Sequence, residues 1–293
     1  MFSRWSCLLF AALLLAASDP GYQSQMVNWR RNYETGLKKE NGWLAVAGLF
    51  WLKDGQNRFG SASANEIRLP PRAPAQAGSF ELHEGKVWLN IERGIDIQLN
   101  GKPAAARYLA PDSAEAPDMI TLGNLAMQVL VRGQRYGIRL WDNGSPARRN
   151  FPGLGWIPVK EDYRITADFV AYPEPKMIPI ADVLGETTPT PSPGYAVFTL
   201  RSKQYRLEPV TEDNQLFFMF RDLTSGKQTY PAGRFLYAEM PRNGKVVLDF
   251  NRAHNPPCAY TAYATCPLPP QQNSLTVRIE AGELNFKPDP RSK

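Results

Sequence analysis

The sequence predicts a mostly β fold, an antiparallel barrel or sandwich with one N-terminal helix and long proline-rich loops. Short segments in which apolar and polar residues alternate recur from Trp43 onward in the 293-residue chain. Most of these segments are separated by only a few residues, which favours antiparallel pairing. A parallel α/β fold would need helical connections of about a dozen residues between strands, and the sequence shows no such connections.

The first eighteen residues have the pattern of a secretory signal peptide. Arg4 precedes an apolar run over residues 8–17, and the small residues Ala16 and Ser18 come before Asp19. A run of about ten residues is too short to span a bilayer, which takes roughly twenty. We expect residues 1–18 to be removed, the protein to be periplasmic or secreted, and the mature chain not to insert into a membrane.

The mature chain, residues 19–293, is predicted to form a single β-rich domain, with two β halves joined near residues 173–193 as the alternative. Its helix is predicted from Met26, Trp29, Tyr33 and Leu37, which recur at helical spacing before Gly42.

The remaining pattern predicts strands, several of them joined as hairpins. Asn100-Gly101 and Asn243-Gly244 are strong turn signals, and Glu84-Gly85 and Gly133-Gln134 also separate alternating segments. The predicted strands cover residues 80–82, 87–91, 95–99, 125–132, 136–141, 163–172, 195–201, 205–210, 215–220, 234–240, 246–250 and 275–279. Residues 173–193 contain six prolines and are predicted to be a long loop across one sheet.

Charge and motifs limit the partners. The chain has 34 lysines and arginines against 28 acids, a net charge of +6. The basic residues are scattered, whereas nucleic-acid-binding proteins usually concentrate them on one face. We therefore expect no nucleic-acid partner, and since no nucleotide-binding motif is present we expect no cofactor. The oligomeric state is left open.

The mature chain has two cysteines, Cys258 and Cys266. In an oxidising compartment an isolated pair most simply forms a disulfide. This one would close a loop of nine residues and stabilise the fold by about 2.5 kcal/mol. Structural zinc sites prefer closely paired ligands. His254 and Asp249 do not complete such a pattern, so no metal is expected.

Two loops contain the candidate binding residues. In residues 222–234, either Asp222 caps backbone N–H groups in an Asx-type turn, or Arg234 binds an anionic group that Thr229 and Tyr230 orient. Residues 249–273 contain five prolines, both cysteines and His254. Proline makes this second loop rigid and irregular, and long ordered loops are often functional.

Three segments of the chain are distinctive: GWLAVAGLFWLKDGQNRFGS, DLTSGKQTYPAGRFL and LDFNRAHNPPCAYTAYATCPLPPQQNSL. Together they resemble the DUF1684 family of bacterial and archaeal proteins, over most of the mature chain. That family has no assigned function. The resemblance implies that the second and third segments are hallmark segments, with a site at Asp222, Arg234, Asn251, Asn255 and Cys258. His254 stands where we expect a tyrosine in this motif.

These residues are compatible with three functions. The favoured one is binding of a small anionic molecule between the two loops, through Asp222, Thr229, Tyr230, Arg234, Asn251 and Asn255. The second is a hydrolase in which Cys258 attacks an acyl carbon and His254 accepts its proton. The third is a structural or interaction module held by the disulfide. Glycoside hydrolysis by two of the carboxylates of Asp142, Asp222, Asp249 and Glu283 is a weaker alternative.

Overall fold

The computed structural model describes residues 20–287. The predicted signal peptide, residues 1–18, lies outside this range. The first described element is α1 (Pro20–Lys38), which confirms the predicted helix and buries Met26 and Leu37. None of the helices between residues 20 and 287 is both long and apolar enough to cross a membrane.

The strands before residue 143 form two sheets. In chain order they are Val46–Trp51 (β1), Gly55–Gly60 (β2), Ile67–Arg68 (β3), Gly78–His83 (β4), Lys86–Ile91 (β5), Gln98–Leu99 (β6), Lys102–Pro103 (β7), Arg107–Tyr108 (β8), Ile120–Leu122 (β9), Leu125–Arg132 (β10) and Arg135–Asp142 (β11). One sheet has the order β1-β11-β10-β9-β6-β7, and the other has the order β3-β2-β4-β5-β8. Only β2 and β3 pair in parallel.

A short helix, α2 (Pro146–Arg149), precedes two further sheets. Their strands are Arg164–Ala181 (β12), Thr187–Leu200 (β13), Lys203–Leu207 (β14), Val210–Glu212 (β15), Gln215–Phe220 (β16), Arg234–Glu239 (β17) and Lys245–Asp249 (β18). The sheet orders are β14-β13-β12-β18 and β15-β16-β17.

Each pair of sheets encloses its own apolar core, because alternate side chains of both sheets point inward. In the first pair, Phe80 packs in one cluster with Met127. In the second pair, Phe198 and Leu248 pack in one cluster with Phe218. This architecture confirms the mostly β, antiparallel fold. The change of sheets falls between residues 142 and 164, not near residues 173–193.

Most of the predicted turns are confirmed. β4 and β5 pair across Glu84-Gly85, and β10 and β11 pair across Gly133-Gln134. Asn100-Gly101 joins β6 to β7, although the strand predicted over residues 95–99 is reduced to β6. Asn243-Gly244 joins β17 to β18, but their pairing is limited to an Arg242–Lys245 bridge, after which the strands enter different sheets.

Residues 173–193 are not the loop that their proline content predicted. β12 and β13 extend through this segment and pair, with Pro179 opposite Pro189 and Met177 opposite Pro191. All six prolines of the segment are at odd-numbered positions. At Pro179, Pro189 and Pro191, whose partners in the pair are defined, this period of two points the missing N–H away from the ladder, toward the outer edges of the hairpin, where proline is tolerated. Pro173 and Pro175 lie at an irregularity between Ala171 and Lys176, where proline is also accommodated.

Residues 275–279 do not form the predicted strand. Leu275, Val277 and Ile279 are buried, as the alternation indicated. However, the Ile279 amide donates to a carboxylate oxygen of Asp222 at 2.5 Å rather than to a neighbouring strand. A side chain therefore replaces the ladder at this point.

Candidate functional site

The first predicted loop, residues 222–234, lies in the interior. Arg234 and Asp222 form an ion pair at 3.2 Å, and neither side chain is exposed. Arg234 also donates to the main-chain oxygens of Ile279, at 3.0 Å, and Ala281. Thr229 is buried. Both Nη atoms of Arg234 donate within the chain, and its Nε is buried without a partner among residues 20–287. The structure thus places Asp222, Thr229 and Arg234 in interior contacts that hold the loop.

The local geometry at Asp222 fits the Asx-type turn. Its Oδ1 accepts hydrogen bonds from the Thr224 amide at 3.1 Å and from the Thr224 hydroxyl at 2.6 Å. That hydroxyl lies 2.9 Å from the Thr229 hydroxyl. The hydroxyl groups of this loop thus provide hydrogen-bond partners for one another and for the carboxylate of Asp222.

Two further predicted binding residues also bond within the chain. The Tyr230 hydroxyl donates to the main-chain oxygen of Cys258 at 3.1 Å. The fully buried Asn251 accepts from the Lys160 amide at 3.1 Å and donates to the Lys160 oxygen at 2.8 Å. Both side chains hold segments of the chain together.

Asn255 binds a buried acid. Its main-chain N and its Nδ2 donate to Glu283 at 2.8 and 2.7 Å, and the Tyr260 hydroxyl donates to the same carboxylate at 2.7 Å. Burial raises the pKa of Glu283 to about 7. Because Nδ2 faces two acceptors, Glu283 and the Leu284 oxygen, the amide orientation is fixed. Oδ1 of Asn255 is buried without a partner among residues 20–287.

His254 lies in an aromatic cluster. Its ring is 4.7 Å from the Tyr33 ring and 6.0 Å from the parallel Tyr237 ring, centroid to centroid. Nδ1 is 3.0 Å from the Arg252 oxygen, so this nitrogen carries the proton. Burial lowers the pKa of His254 to about 4, and the imidazole is neutral at pH 7.

The two cysteines are neighbours and are free thiols in this structure. The Cys258 amide lies 3.1 Å from Sγ of Cys266. A hydrogen bond from Cys266 lowers the pKa of Cys258 to about 7, and the same interaction raises the pKa of Cys266. Within the described residues no hydrogen bond joins Cys258 to His254, so the proposed nucleophile and base belong to separate clusters.

A pocket of about 370 Å³, the inner pocket, lies between α1, β10, β11, β16, β17 and the second predicted loop. Three candidates from the sequence line it: His254, Asn255 and Cys266. The facing wall carries Arg132 and Arg139. The lining also contains one acid, Glu212, and the rest of it is largely apolar or aromatic, with Leu37, Trp43, Phe217, Phe235, Tyr237, Pro257 and Pro267. This size and composition are typical of small-molecule sites.

Arg139 is the unusual residue of the inner pocket. Only 8% of it is exposed, and no acidic side chain of residues 20–287 forms an ion pair with it. Its guanidinium lies 5.0 Å from the centroid of Trp43 and 5.9 Å from that of Trp141. Its Nε is buried without a hydrogen-bond partner in the same range. Burial lowers the pKa of Arg139 to about 10, which leaves it protonated at neutral pH.

Arg132, the second cation of the inner pocket, is neutralised. Its Nη1 lies 2.7 Å from the carboxylate of Asp112, and its Nε donates to the Thr265 hydroxyl at 3.2 Å. Of the two arginines, Arg139 is therefore the one without an ion pair, and the carboxylate of Asp112 attracts it only at longer range.

A larger groove of about 690 Å³, the outer cleft, adjoins the inner pocket. Tyr33, Tyr237 and His254 line both spaces. The outer cleft runs between β17 and β18, where these strands separate, and four basic side chains line it: Arg164, Arg242, Lys245 and Arg252. Its acidic residues are Glu239 and Asp249, and Asp249 is paired with Arg252 at 3.4 Å.

Sequence reasoning missed Arg139, which lies within the strand predicted over residues 136–141 and was not singled out, because arginine in a strand is normally solvated. The sequence feature that could have indicated a buried Arg139 is Trp141, which lies two residues later on the same face of the strand. Trp43, which completes the aromatic surround, comes from a distant segment. Among residues 20–287, no three His, Cys, Asp or Glu side chains group closely enough to hold a metal ion.

Comparison with known proteins gives a family but no activity. Residues 149–284 match the family described as "Protein of unknown function (DUF1684)". One match is the solution structure of an uncharacterized protein from gene locus rrnAC0354 of Haloarcula marismortui. The two sequences are 32% identical over an alignment that covers 47% of this chain and 79% of that chain, with a TM-score of 0.40.

Two forkhead-associated (FHA) domain structures match more weakly. One is the FHA domain of FhaA in complex with the intracellular domain of Rv3910, with 17% identity, 31% of this chain and 96% of that chain covered, and a TM-score of 0.23. The other, Rv0020c_FHA, has 18% identity, coverage of 32% and 94%, and a TM-score of 0.22. No curated protein matches the chain. The hallmark segments and the match over residues 149–284 show that the chain belongs to the DUF1684 family.

Proposed function

We propose that this protein binds a small organic anion, a monocarboxylate with an apolar body, in the inner pocket. The observation that carries the proposal is the buried guanidinium of Arg139, which has no acidic partner in the described chain. An unpaired buried charge costs stability. A ligand carboxylate would supply the missing partner and accept two parallel hydrogen bonds.

The charge balance favours a single negative charge on the ligand. Arg132 is paired with Asp112, and the other charged residues of the lining are Arg139 and Glu212, whose carboxylate accepts from the Tyr237 hydroxyl at 2.6 Å. With an acid already in the lining, Arg139 can compensate at most one negative charge on a ligand. Leu37, Phe217 and Phe235 supply apolar surface beside it, and burying an apolar group there contributes about 25 cal/mol per Å². A hydrophilic dianion would gain nothing from those walls.

The test is a binding titration with N-acetyl-leucine and related monocarboxylates, followed by tryptophan fluorescence because Trp43 lines the inner pocket. Arg139→Ala should weaken binding at least tenfold, the usual scale for a lost charge-assisted hydrogen bond. Arg135→Ala, on the same strand but half-exposed, is the matched control and should bind normally. Equal affinity of the two variants would disprove the role of Arg139.

The hydrolase alternative has weaker support. His254 is neutral at pH 7 and its Nδ1 proton is used by the Arg252 oxygen, while Cys258 contacts Cys266 and Tyr230. The lowered pKa of Cys258 favours its thiolate, but among the described residues no histidine, lysine or arginine hydrogen-bonds to this thiol to act as the base of a hydrolase.

We also propose that the protein is exported and that Cys258 and Cys266 form a disulfide after export. The signal-peptide pattern of residues 1–18 supports export, and the adjacency of the two cysteines supports the bond. Intact mass of the exported protein, measured with a thiol-alkylating reagent and no reductant, should show no alkylation until the protein is denatured and reduced. Ready alkylation of both thiols in the folded, exported protein would contradict the disulfide.

A further inference from the structure

We propose that the anion held at Arg139 is the C-terminal carboxylate of an extended polypeptide, whose last side chain fills the inner pocket and whose preceding residues lie in the outer cleft along β17. This inference rests on the proposed function and names its ligand class. Four observations support it: a second unpartnered polar atom, the adjacency of the two spaces, an open strand edge and the charge of the outer cleft.

Two residues of the inner pocket each have a buried polar atom without a hydrogen-bond partner, one a donor and the other an acceptor. Oδ1 of Asn255 is buried and, within residues 20–287, has no hydrogen-bond partner, while Nε of Arg139 lacks an acceptor in the same part of the chain. Both residues line the inner pocket. A buried polar group without a partner costs about 1–3 kcal/mol. The end of a peptide presents the complementary pair, a carboxylate and the N–H of the last residue.

The inner pocket adjoins a space for the rest of a chain. Tyr33, Tyr237 and His254 line both the inner pocket and the outer cleft, and their packed rings form the wall that the two spaces share. The 370 Å³ of the inner pocket accommodates a terminal apolar side chain, the 690 Å³ of the outer cleft lies beside it, and we infer that the peptide passes this wall.

β17 offers an open edge to the outer cleft. Phe235 exchanges backbone hydrogen bonds with His254, at 2.9 and 3.0 Å, on the side of β17 away from β16. Backbone groups two residues apart point to the same side of a strand, so those of Tyr237 and Glu239 point the same way. Both residues line the outer cleft, and the sheet order places no further strand beyond β17. An extended peptide can therefore add to this edge.

The charge of the outer cleft indicates which peptide would bind. Arg164, Arg242, Lys245 and Arg252 outnumber Glu239 and Asp249. Without the Lys245–Asp168 and Arg252–Asp249 ion pairs, Arg164 and Arg242 still outnumber Glu239. Arg242 is exposed, and no side-chain ion pair involves it among the described residues. Acidic residues upstream of an apolar C-terminal residue would complement this surface.

The experiment compares three ligands on the mature full-length protein by calorimetry. They are N-acetyl-leucine, an N-acetylated hexapeptide with acidic residues at its first positions and a C-terminal leucine, and the same peptide as its C-terminal amide. The free-acid peptide should bind at least tenfold more tightly than either of the others. Arg139→Ala should weaken the free-acid peptide and N-acetyl-leucine alike.

A backbone variant separates the strand edge from the inner pocket. Glu239→Pro removes an N–H that faces the outer cleft and is not part of the ladder with β16, whereas Glu239→Ala retains that N–H and is the matched control. Glu239→Pro should weaken the peptide at least fivefold relative to Glu239→Ala and leave N-acetyl-leucine unchanged. Arg242→Ala should likewise weaken only the peptide.

The outcomes distinguish the two proposals. If N-acetyl-leucine binds through Arg139 but the peptide binds no more tightly, the peptide inference is wrong and the proposed function stands. If no carboxylate binds, the proposed function fails as well. Equal affinity of the acid and amide peptides would overturn capture of the C-terminus. A ligand-free dimer that Glu239→Pro dissociates would assign the edge to a second copy of the chain and also overturn the inference.

Discussion

Arg139 combines a buried positive charge with a surround that does not neutralise it. Its guanidinium forms cation–π contacts with the rings of Trp43 and Trp141, at 5.0 and 5.9 Å from their centroids. Such contacts contribute roughly 0.5–2 kcal/mol. That is less than the several kcal/mol that an unpaired buried ion costs. A residue that lowers the stability of the free protein is a candidate for function rather than for folding.

This imbalance predicts the effect of Arg139→Met on stability. Methionine has a similar length and no charge, so the ligand-free variant should unfold with a free energy on the order of 1–3 kcal/mol higher than that of the wild type. Urea denaturation of both proteins without ligand measures the difference, and Arg135→Met is the exposed control. A variant less stable than the wild type would mean that the charge is compensated within the fold.

His254 predicts a specific pH dependence. Because its pKa is lowered from an ordinary 6.5 to about 4, the unfolded state binds more protons than the folded state between these values. Stability is therefore lost as pH falls from about 6.5 to about 4, by up to about 1.4 kcal/mol per pH unit. Glu283, whose pKa is raised to about 7, acts with the opposite sign above about 4.5, so wild-type profiles alone do not isolate His254.

The matched variants are His254→Phe and His83→Phe, which replace the two histidines of the chain. The stability of His254→Phe relative to wild type should rise as the pH is lowered from 7 to 4, whereas His83→Phe, at a largely exposed position, should show a constant difference. Chemical denaturation at several pH values measures this, and parallel profiles for wild type and His254→Phe would refute a lowered pKa.

At the scale of elements, local signals predicted most of the sheet pairing. Asn-Gly and Gly-containing turns located several hairpins, and alternation located β10 and β16 closely. The hairpin of β12 and β13 was missed because its prolines suggested a loop, although their period of two is compatible with an antiparallel pair. Residues 275–279 were misassigned because alternation predicts burial, and here the side chain of Asp222 rather than a strand satisfies the Ile279 amide.

The hairpin provides a test of that explanation. Thr190 lies opposite Ile178, between pairs that contain proline, so its N–H belongs to the ladder. Thr190→Pro should destabilise the protein by about 3 kcal/mol, whereas Pro191→Thr should change stability by less than about 1 kcal/mol. Thermal unfolding compares the two. Equal effects would mean that a proline is accepted in this hairpin whether or not the N–H at its position belongs to the ladder.

At the scale of the whole molecule, the site forms where distant parts of the chain meet. Arg139 comes from the first pair of sheets, Tyr33 from α1, and His254 and Asn255 from the loop after β18. The proline content and the polar residues of that loop had indicated His254 and Asn255. No local pattern showed that β11 faces the same space, because that proximity depends on packing between elements more than a hundred residues apart.

Contacts between segments that are far apart in the sequence also explain why some predicted residues are not in the site. Asp222, Arg234 and Asn251 have the residue types of an anion site, but the fold uses them to fix loops in the interior. The sequence does not show whether a buried arginine is paired with an aspartate, as Arg234 is, or has no ion pair, as Arg139 has none. Only the contacts distinguish a charge that is compensated within the chain from one that is not.

The most direct test of the central claim, that Arg139 holds a ligand carboxylate, is an arginine side-chain ¹H–¹⁵N NMR spectrum with the Nε–H of Arg139 assigned through Arg139→Lys. On addition of N-acetyl-leucine, this resonance should move downfield as the buried Nε–H gains an acceptor, and N-acetyl-leucinamide should leave it unchanged. An Arg139 resonance that does not respond to any monocarboxylate, or that responds equally to the amide, would show that Arg139 does not bind a ligand carboxylate.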